Sequence, residues 1–460
     1  MTLVAPALAR FREAFAGEVI GPGDSGYDEA RRVWSALHDR RPALVARPTS
    51  VEDVVAAVRF ARESELVISV RAGGHSISGY SSCDGGIVID LSTFQGVAVD
   101  PDRRLARANG GAYLIELDRA AQEHGLVCPV GTVGHTGIGG LVLGGGVGRL
   151  QRRFGLTVDN LTAVELVTAD GRVVRASEDE NPELFWGVRG AGPNFGVVTA
   201  FEFRLHPFGP ALTRAVRIYR PADTQALWPA FRDLAASAPR EVSGLSFVIG
   251  RAVPAEEYPA EVAGGPIAVV ALAHLGTEAD VAAFLAPLAT VAEPVASMGG
   301  TTPYLAVQGM YDESMGWGQR YYCDGGFADD LSGTTIRGLL DHVADGVGDS
   351  GWSMTVQGGA IADLPEDAMA FTGRSSAYRV MAEIAGWTDP AEDLAVMTWG
   401  RRAVEIAADE LLTGRYVNEV FEDGTDLATI YGPEKLARLA ALKRTWDPDN
   451  AFRLNHNIQP

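Results

Sequence analysis

The sequence predicts an α+β fold of more than one domain, and three observations carry that expectation. A capped amphipathic helix leads into a buried strand between residues 50 and 70. A β-hairpin signal follows at 161–177, and from about 208 to 414 strand-like and helix-like segments alternate in a second unit. The divisions expected are 1–207, 208–414 and a C-terminal segment, 415–460.

In "PTSVEDVVAAVRFARESELVISVRAGGH", Ser50 is placed to cap a helix, with Asp53 three residues on. Val51, Val54, Val55 and Val58 then fall on one helical face. "LVISV", 66–70, reads as a buried strand entering a glycine loop. A second helix in "AYLIELDRAAQEHG" stops at Gly125, which can take the left-handed conformation that ends helices. "LTAVELVTADGRVVRAS" is two strands about an Asp170-Gly171 turn. Pro207 and Pro210 punctuate the chain before the second unit. Near the end, "YGPEKLARLAALKRTWDPDN" predicts a helix with Leu436, Leu439 and Leu442 inward, then a turn.

The 460 residues leave room for two or three domains around well-buried cores. The net charge of -20 disfavours nucleic acid and anionic membrane as partners, since phosphate neutralisation needs a basic surface. No apolar run reaches the ~20 residues of a membrane span. The opening "MTLVAPALARFREAF" lacks the pattern of a secretory leader. A cytoplasmic enzyme is the expectation. Cys83, Cys128 and Cys323 are scattered and suggest neither a disulfide framework nor a metal site.

Glycine carries the functional signal. Nine of the eighteen residues from Gly131 to Gly148 are glycine, and "RAGGHSISGY" (71–80) and "GAGPNFGVVT" (190–199) are further clusters. This density is entropically costly and implies close backbone approaches. Free N–H groups in such loops form anion-binding concavities suited to a diphosphate. None of the clusters has the three spacings of the GxGxxG dinucleotide fingerprint, which disfavours a nicotinamide-binding unit. Glycines serving only tight turns would account for one cluster better than for three.

Together "RAGGHSISGY", "GLVLGGGVGRLQRRFGLTVDNL", "ELFWGVRGAGPNFGVVT" and the ending "YGPEKLARLAALKRTWDPDNAFRLNHNI" resemble the berberine bridge enzyme-like flavoproteins of the vanillyl alcohol oxidase superfamily. The resemblance runs from about residue 35 to the C-terminus. It implies a PCMH-type FAD-binding domain of two subdomains, and a substrate domain with a large antiparallel sheet covered by helices. By the same resemblance, the loop of Arg71, Ala72, Gly73, Gly74, His75, Ser76 and Gly79 holds the FAD diphosphate through its amides. His75 is then the residue joined covalently to the 8α-methyl of the flavin. A neutral imidazole is a competent nucleophile near pH 7.

The resemblance also sets Thr132, Val133, Gly137, Gly140, Gly144 and Gly148 against the dinucleotide, with Gly196 and Val197 as backbone contacts. Ile138 takes a position that influences access of dioxygen, and its β-branching leans toward an oxidase. Asn418, Asn455 and Asn457 match polar positions bordering the flavin, although each alone would equally serve a turn or cap. Some members carry a second, cysteinyl link. The register from Gly144 puts Val133 at that place and leaves Cys128 upstream, so a single link is expected.

The substrate side departs from the family. Cys323-Asp324 stand where a lysine is common, and Thr355 and Gln357 stand where some members hold a glutamate base. Glu383 and Tyr322 remain the catalytic candidates, with packing or solvent-facing roles as the alternative. Tyr80, Tyr311 and Trp387 are candidate pocket walls. The expected activity is an FAD-linked oxidase for a small alcohol, amine or carbohydrate, returning electrons to dioxygen. A flavin dehydrogenase and a flavin-binding protein without turnover are the alternatives. No metal is expected, and a homodimer is compatible with the sequence.

Overall fold

The structure, a computed structural model, describes residues 5–421 and 424–460. Three sheets organise it. The first runs Glu18–Ile20, Leu44–Arg47, Ile87–Asp90, Ile68–Arg71, and its last three strands are parallel. Helix Val51–Glu63 covers it, burying Val54, Ala57, Val58 and Ala61 against Leu44, Ile68, Ile87 and Ile89. The Ser50 hydroxyl accepts from the Asp53 amide at 3.1 Å, a cap contributing about 1 kcal/mol. The strand begins two residues later than the apolar run suggests. The Leu66 amide donates back to the Ala61 carbonyl at 2.8 Å, so the first residues of "LVISV" close the helix before extension begins.

The second sheet is antiparallel, in the order Val97–Asp100, Leu105–Asn109, Val197–Arg204, Leu161–Val167, Val173–Ser177. Its last two strands are the expected hairpin, with Val167 opposite Val173. Helices Leu114–Gln122 and Pro433–Trp446 pack into its core, the latter through Leu439 and Leu442 with Leu436 at the margin.

The third sheet has seven antiparallel strands: Ala296–Pro303, Ala211–Tyr219, Pro266–His274, Val242–Arg251, Asp349–Val356, Tyr378–Trp387 and Arg320–Ala328. Strand alternation divides its faces. Trp352, Met354, Val356, Val380, Ala382 and Ile384 sit in the core under helices Thr224–Ala236, Gly333–Ala344 and Asp393–Ala407. Ser353, Thr355, Arg379, Met381 and Glu383 turn to the opposite face, which no helix covers among the described residues and which fronts the glycine-rich loops. Among the described residues no helix is long and apolar enough to cross a membrane.

Candidate active site

A cavity of about 930 Å³ lies between the glycine loops and the uncovered face of the seven-stranded sheet. Ala72 to Ser78 form one wall, Thr132, Val133, Gly137, Gly139 and Gly140 the next, and Asn418 and Asn455 reach it from the C-terminal segment. The two glycine loops touch. A Cβ on Gly73 would stand 2.1 Å from the Gly137 amide nitrogen, and one on Gly137 would stand 2.1 Å from that of Gly73. Only glycine at both positions allows this approach, which brings two runs of backbone amides to one place.

The 71–80 loop is braced from behind. The Arg71 guanidinium holds Asp90 through two hydrogen bonds and donates to the carbonyls of Ala30 (2.6 Å) and Arg32 (2.8 Å). Arg71 is therefore a buried strut, and its side chain does not line the cavity. Gly79 is also set back. Its φ of 77° turns the chain, and a Cβ there would enter the His38 ring at 2.5 Å.

His75 stands in the wall with its ring stacked on Trp34 (centroids 4.5 Å apart), which stacks in turn on Tyr321 (3.8 Å). Its Nε2 lies 2.7 Å from Nδ1 of His135, whose own Nε2 lies 3.1 Å from the backbone oxygen of Asp312. Burial pushes the His75 pKa down to about 3, with His135 adding to the shift. The ring is neutral at any working pH.

Across the cavity, Glu383 pairs in register with Cys323 and Gly351. Burial raises its pKa to about 7 against the opposing pull of Arg379, and Asp349 and Glu419 push it further up. Two residues along the same face, Arg379 donates to both carboxylate oxygens of Glu419 at 2.6 Å and to the Thr355 hydroxyl at 3.2 Å. At another side Arg149 donates to the Thr132 carbonyl and the Gln308 amide oxygen, both at 3.3 Å, and lies over the exposed ring of Tyr311. This wall can orient a polar substrate and hold one proton near neutral pH.

Residues 42–177 match the model of an FAD binding domain, and residues 415–459 match that of berberine and berberine-like proteins. The (R)-6-hydroxynicotine oxidase of Paenarthrobacter nicotinovorans is 32% identical over 456 residues, covering 96% of this chain and 97% of that protein. The chain belongs to the berberine-like FAD-linked oxidoreductases. The crystal structure of 6-hydroxy-D-nicotine oxidase from Arthrobacter nicotinovorans superposes with a TM-score of 0.87 at 30% identity, over the whole of both chains. The glucooligosaccharide oxidase of Acremonium strictum, described with a 6-S-cysteinyl, 8α-N1-histidyl FAD, shares the fold at a TM-score of 0.86, 24% identity and 99% of each chain.

This FAD-dependent oxidoreductase has a cavity that suits the cofactor. The mutual contact of Gly73 and Gly137 gathers backbone amides in one wall, a donor set of the kind that fits a diphosphate. The side-chain oxygen of Asn455 is buried on the cavity wall with no partner among the described residues. A buried acceptor of that kind calls for a donor such as a ring N–H.

Several expected contacts do not line the cavity of this berberine-like chain. Ile138, the first residue of helix Ile138–Gly144, is fully buried in the core of the second sheet with Leu114 and with Val142 one turn along its own helix. Val197 begins a central strand and points into the first sheet's core. Gly144 sits behind the wall, where its bare Cα admits the Asn418 amide; a Cβ would meet Asn418 Oδ1 at 2.1 Å. Asn457 is set back, its buried side-chain oxygen without a partner among the described residues. Tyr322, by contrast, does border the cavity. It lies opposite Ile384, and its ring packs on Gly400 and Phe421 in the helix-covered core. Trp387 leaves the cavity, donating to Asp393 at 2.8 Å.

Gly148, Gly196, Tyr80 and Tyr311 do line it. Cys128 is fully buried away from it, and burial raises its thiol pKa. The sequence reading missed Trp34, His135, Arg379 and Glu419. Only His135 left a local trace, as a second histidine within the glycine-rich stretch.

Proposed function

We propose that the chain is an oxidase that takes a hydride from the C–OH or C–N carbon of a small molecule and passes the electrons to dioxygen, with FAD joined covalently to His75. FAD, when bound, supplies the two-electron acceptor, whose N5 receives the hydride. The protein's part is to hold it and to manage protons. The loop amides of Gly73 to Ser76 and of Thr132 to Gly140 would hold the diphosphate, and Asn418 and Asn455 would offer hydrogen-bonding groups to the ring.

On the sheet side, Glu383 accepts the hydroxyl or ammonium proton as the hydride leaves. A base works best when its pKa lies near the operating pH, and about 7 meets that condition. Arg379, held by Glu419, with Ser353 and Thr355, offers donors that orient a polar substrate. The reading is carried by one observation: a buried, neutral imidazole on a glycine loop shares a single cavity with a carboxyl group poised near pH 7.

Purified protein precipitated in acid is the test. Yellow colour should stay in the pellet, and His75→Ala should release it to the supernatant. A peroxide assay over alcohols, amines and sugars then finds the substrate. Reoxidation of the reduced protein by air, followed by stopped flow, should keep pace with turnover; reoxidation far slower than turnover would assign the electrons to another acceptor.

A further inference from the structure

We propose that His135 is a positioning residue for cofactor attachment: it fixes the tautomer of His75 and takes its proton, so that the bond forms at Nδ1 of His75. The inference rests on the covalent reading above.

The argument is one of donors and acceptors. A backbone carbonyl only accepts, so the contact between His135 Nε2 and the Asp312 oxygen requires the proton of His135 to sit on Nε2. A neutral imidazole carries one ring proton, which leaves Nδ1 of His135 as an acceptor. That atom lies 2.7 Å from Nε2 of His75, so His75 must carry its proton there. The lone pair of His75 is then confined to Nδ1. Without a partner, the ring would share its proton between the two nitrogens, and only part of the population would be nucleophilic at either.

The relay is built to hold still. Trp34 stacks on the His75 ring, and the Asp312 carboxylate accepts from the Gly134 amide at 2.6 Å, which ties the carbonyl's loop to the residue beside His135.

Attachment forms a bond from Nδ1 of His75 to the 8α carbon and breaks one C–H bond there. The two electrons pass by way of the ring to dioxygen. One proton leaves the carbon, and the other leaves Nε2 of His75 for Nδ1 of His135. Both end with the electrons in hydrogen peroxide. His135 receives its proton while its far N–H stays anchored on Asp312. That makes it a base whose position is set before the reaction, as a glutamine would not be.

The experiment follows attachment directly. Full-length protein produced under riboflavin limitation is mixed with FAD in air, and acid-stable flavin is measured against time together with intact mass. His135→Phe should bind FAD and turn yellow yet attach it about 100-fold more slowly, the usual scale for a lost general base. His135→Gln restores an acceptor for His75 Nε2 but takes up no proton, and should fall between the two, about ten-fold below the native protein. NMR of the flavin peptide from the native protein should show the link at Nδ1; this measurement needs no variant, should one fail to fold. Attachment by His135→Phe at the native rate, or a link at Nε2, overturns the proposal. A native protein that gives up all its flavin to acid overturns the His75 linkage itself, a distinct result.

Discussion

Replacing Glu383 by glutamine separates a catalytic carboxyl from a merely buried one, because the two roles move activity and stability in opposite directions. The pKa of this group rises from 4.5 to about 7 on folding, chiefly through burial. A raised carboxyl pKa means that the folded state binds the proton more tightly. The associated stability is complete below pH 4.5 and is lost as pH climbs to about 7. Above that, a carboxylate sits in the cavity at a cost. The full shift corresponds to about 3.4 kcal/mol. Partial access to the cavity lowers this to roughly 1–2 kcal/mol, since exposed charges are screened.

Unfolding a chain of 460 residues carries an entropy such that about 1 kcal/mol moves the midpoint by about 1 °C. Glu383→Gln should therefore melt about 1–2 °C higher than the native protein at pH 8.5 and at the same temperature at pH 4. With the substrate found by the peroxide panel, kcat/KM should fall by about 100-fold or more, and the acidic limb near pH 7 should vanish from its pH profile. Scanning calorimetry at the two pH values and steady-state kinetics read both effects. A variant that keeps the acidic limb, or is destabilised equally at both pH values, would refute the assignment of the proton to Glu383.

Three further outcomes follow from the geometry. Gly137→Ala puts a methyl group 2.1 Å from the Gly73 nitrogen; the strain of about 1–3 kcal/mol should weaken initial FAD binding by about 10–100-fold in a fluorescence titration. Lys443→Met strips a fully buried ion pair, 2.7 Å long, from Asp447, which also caps the amides of Ala451 and Phe452. The loss should be about 3–5 kcal/mol, read as a lower unfolding midpoint. Cys128→Ala should leave the covalent flavin mass unchanged, because the thiol is enclosed in the core; a lost second bond in the mass spectrum would contradict the single link.

What could be read locally was read correctly where the physics was local. The Ser50 cap, the Asp170-Gly171 hairpin and the inward leucines of the last helix depend on neighbours within a few residues. The position of Ile138 shows the limit. Its place in a motif suggested a position that influences access of dioxygen, and the sequence did not state that its side chain would be buried in the core shared with Leu114. Tyr322 shows a related limit. Of the two adjacent tyrosines, Tyr321 stacks on Trp34 and Tyr322 packs on Phe421, and no run of letters states which takes which partner.

The sequence by itself determined the glycine loops, the histidine among them and the family of FAD-linked oxidoreductases, because close backbone approach demands glycine wherever the partner comes from. Only the tertiary structure decided what surrounds that histidine. Trp34, His135 and Asp312 arrive from three separate stretches of chain, and the carboxyl of Glu383 comes from a sheet on the far side of the cavity. Hydrogen bonds of about 3 Å and pKa shifts driven by burial depend on distances in space, and distance along the chain does not encode them.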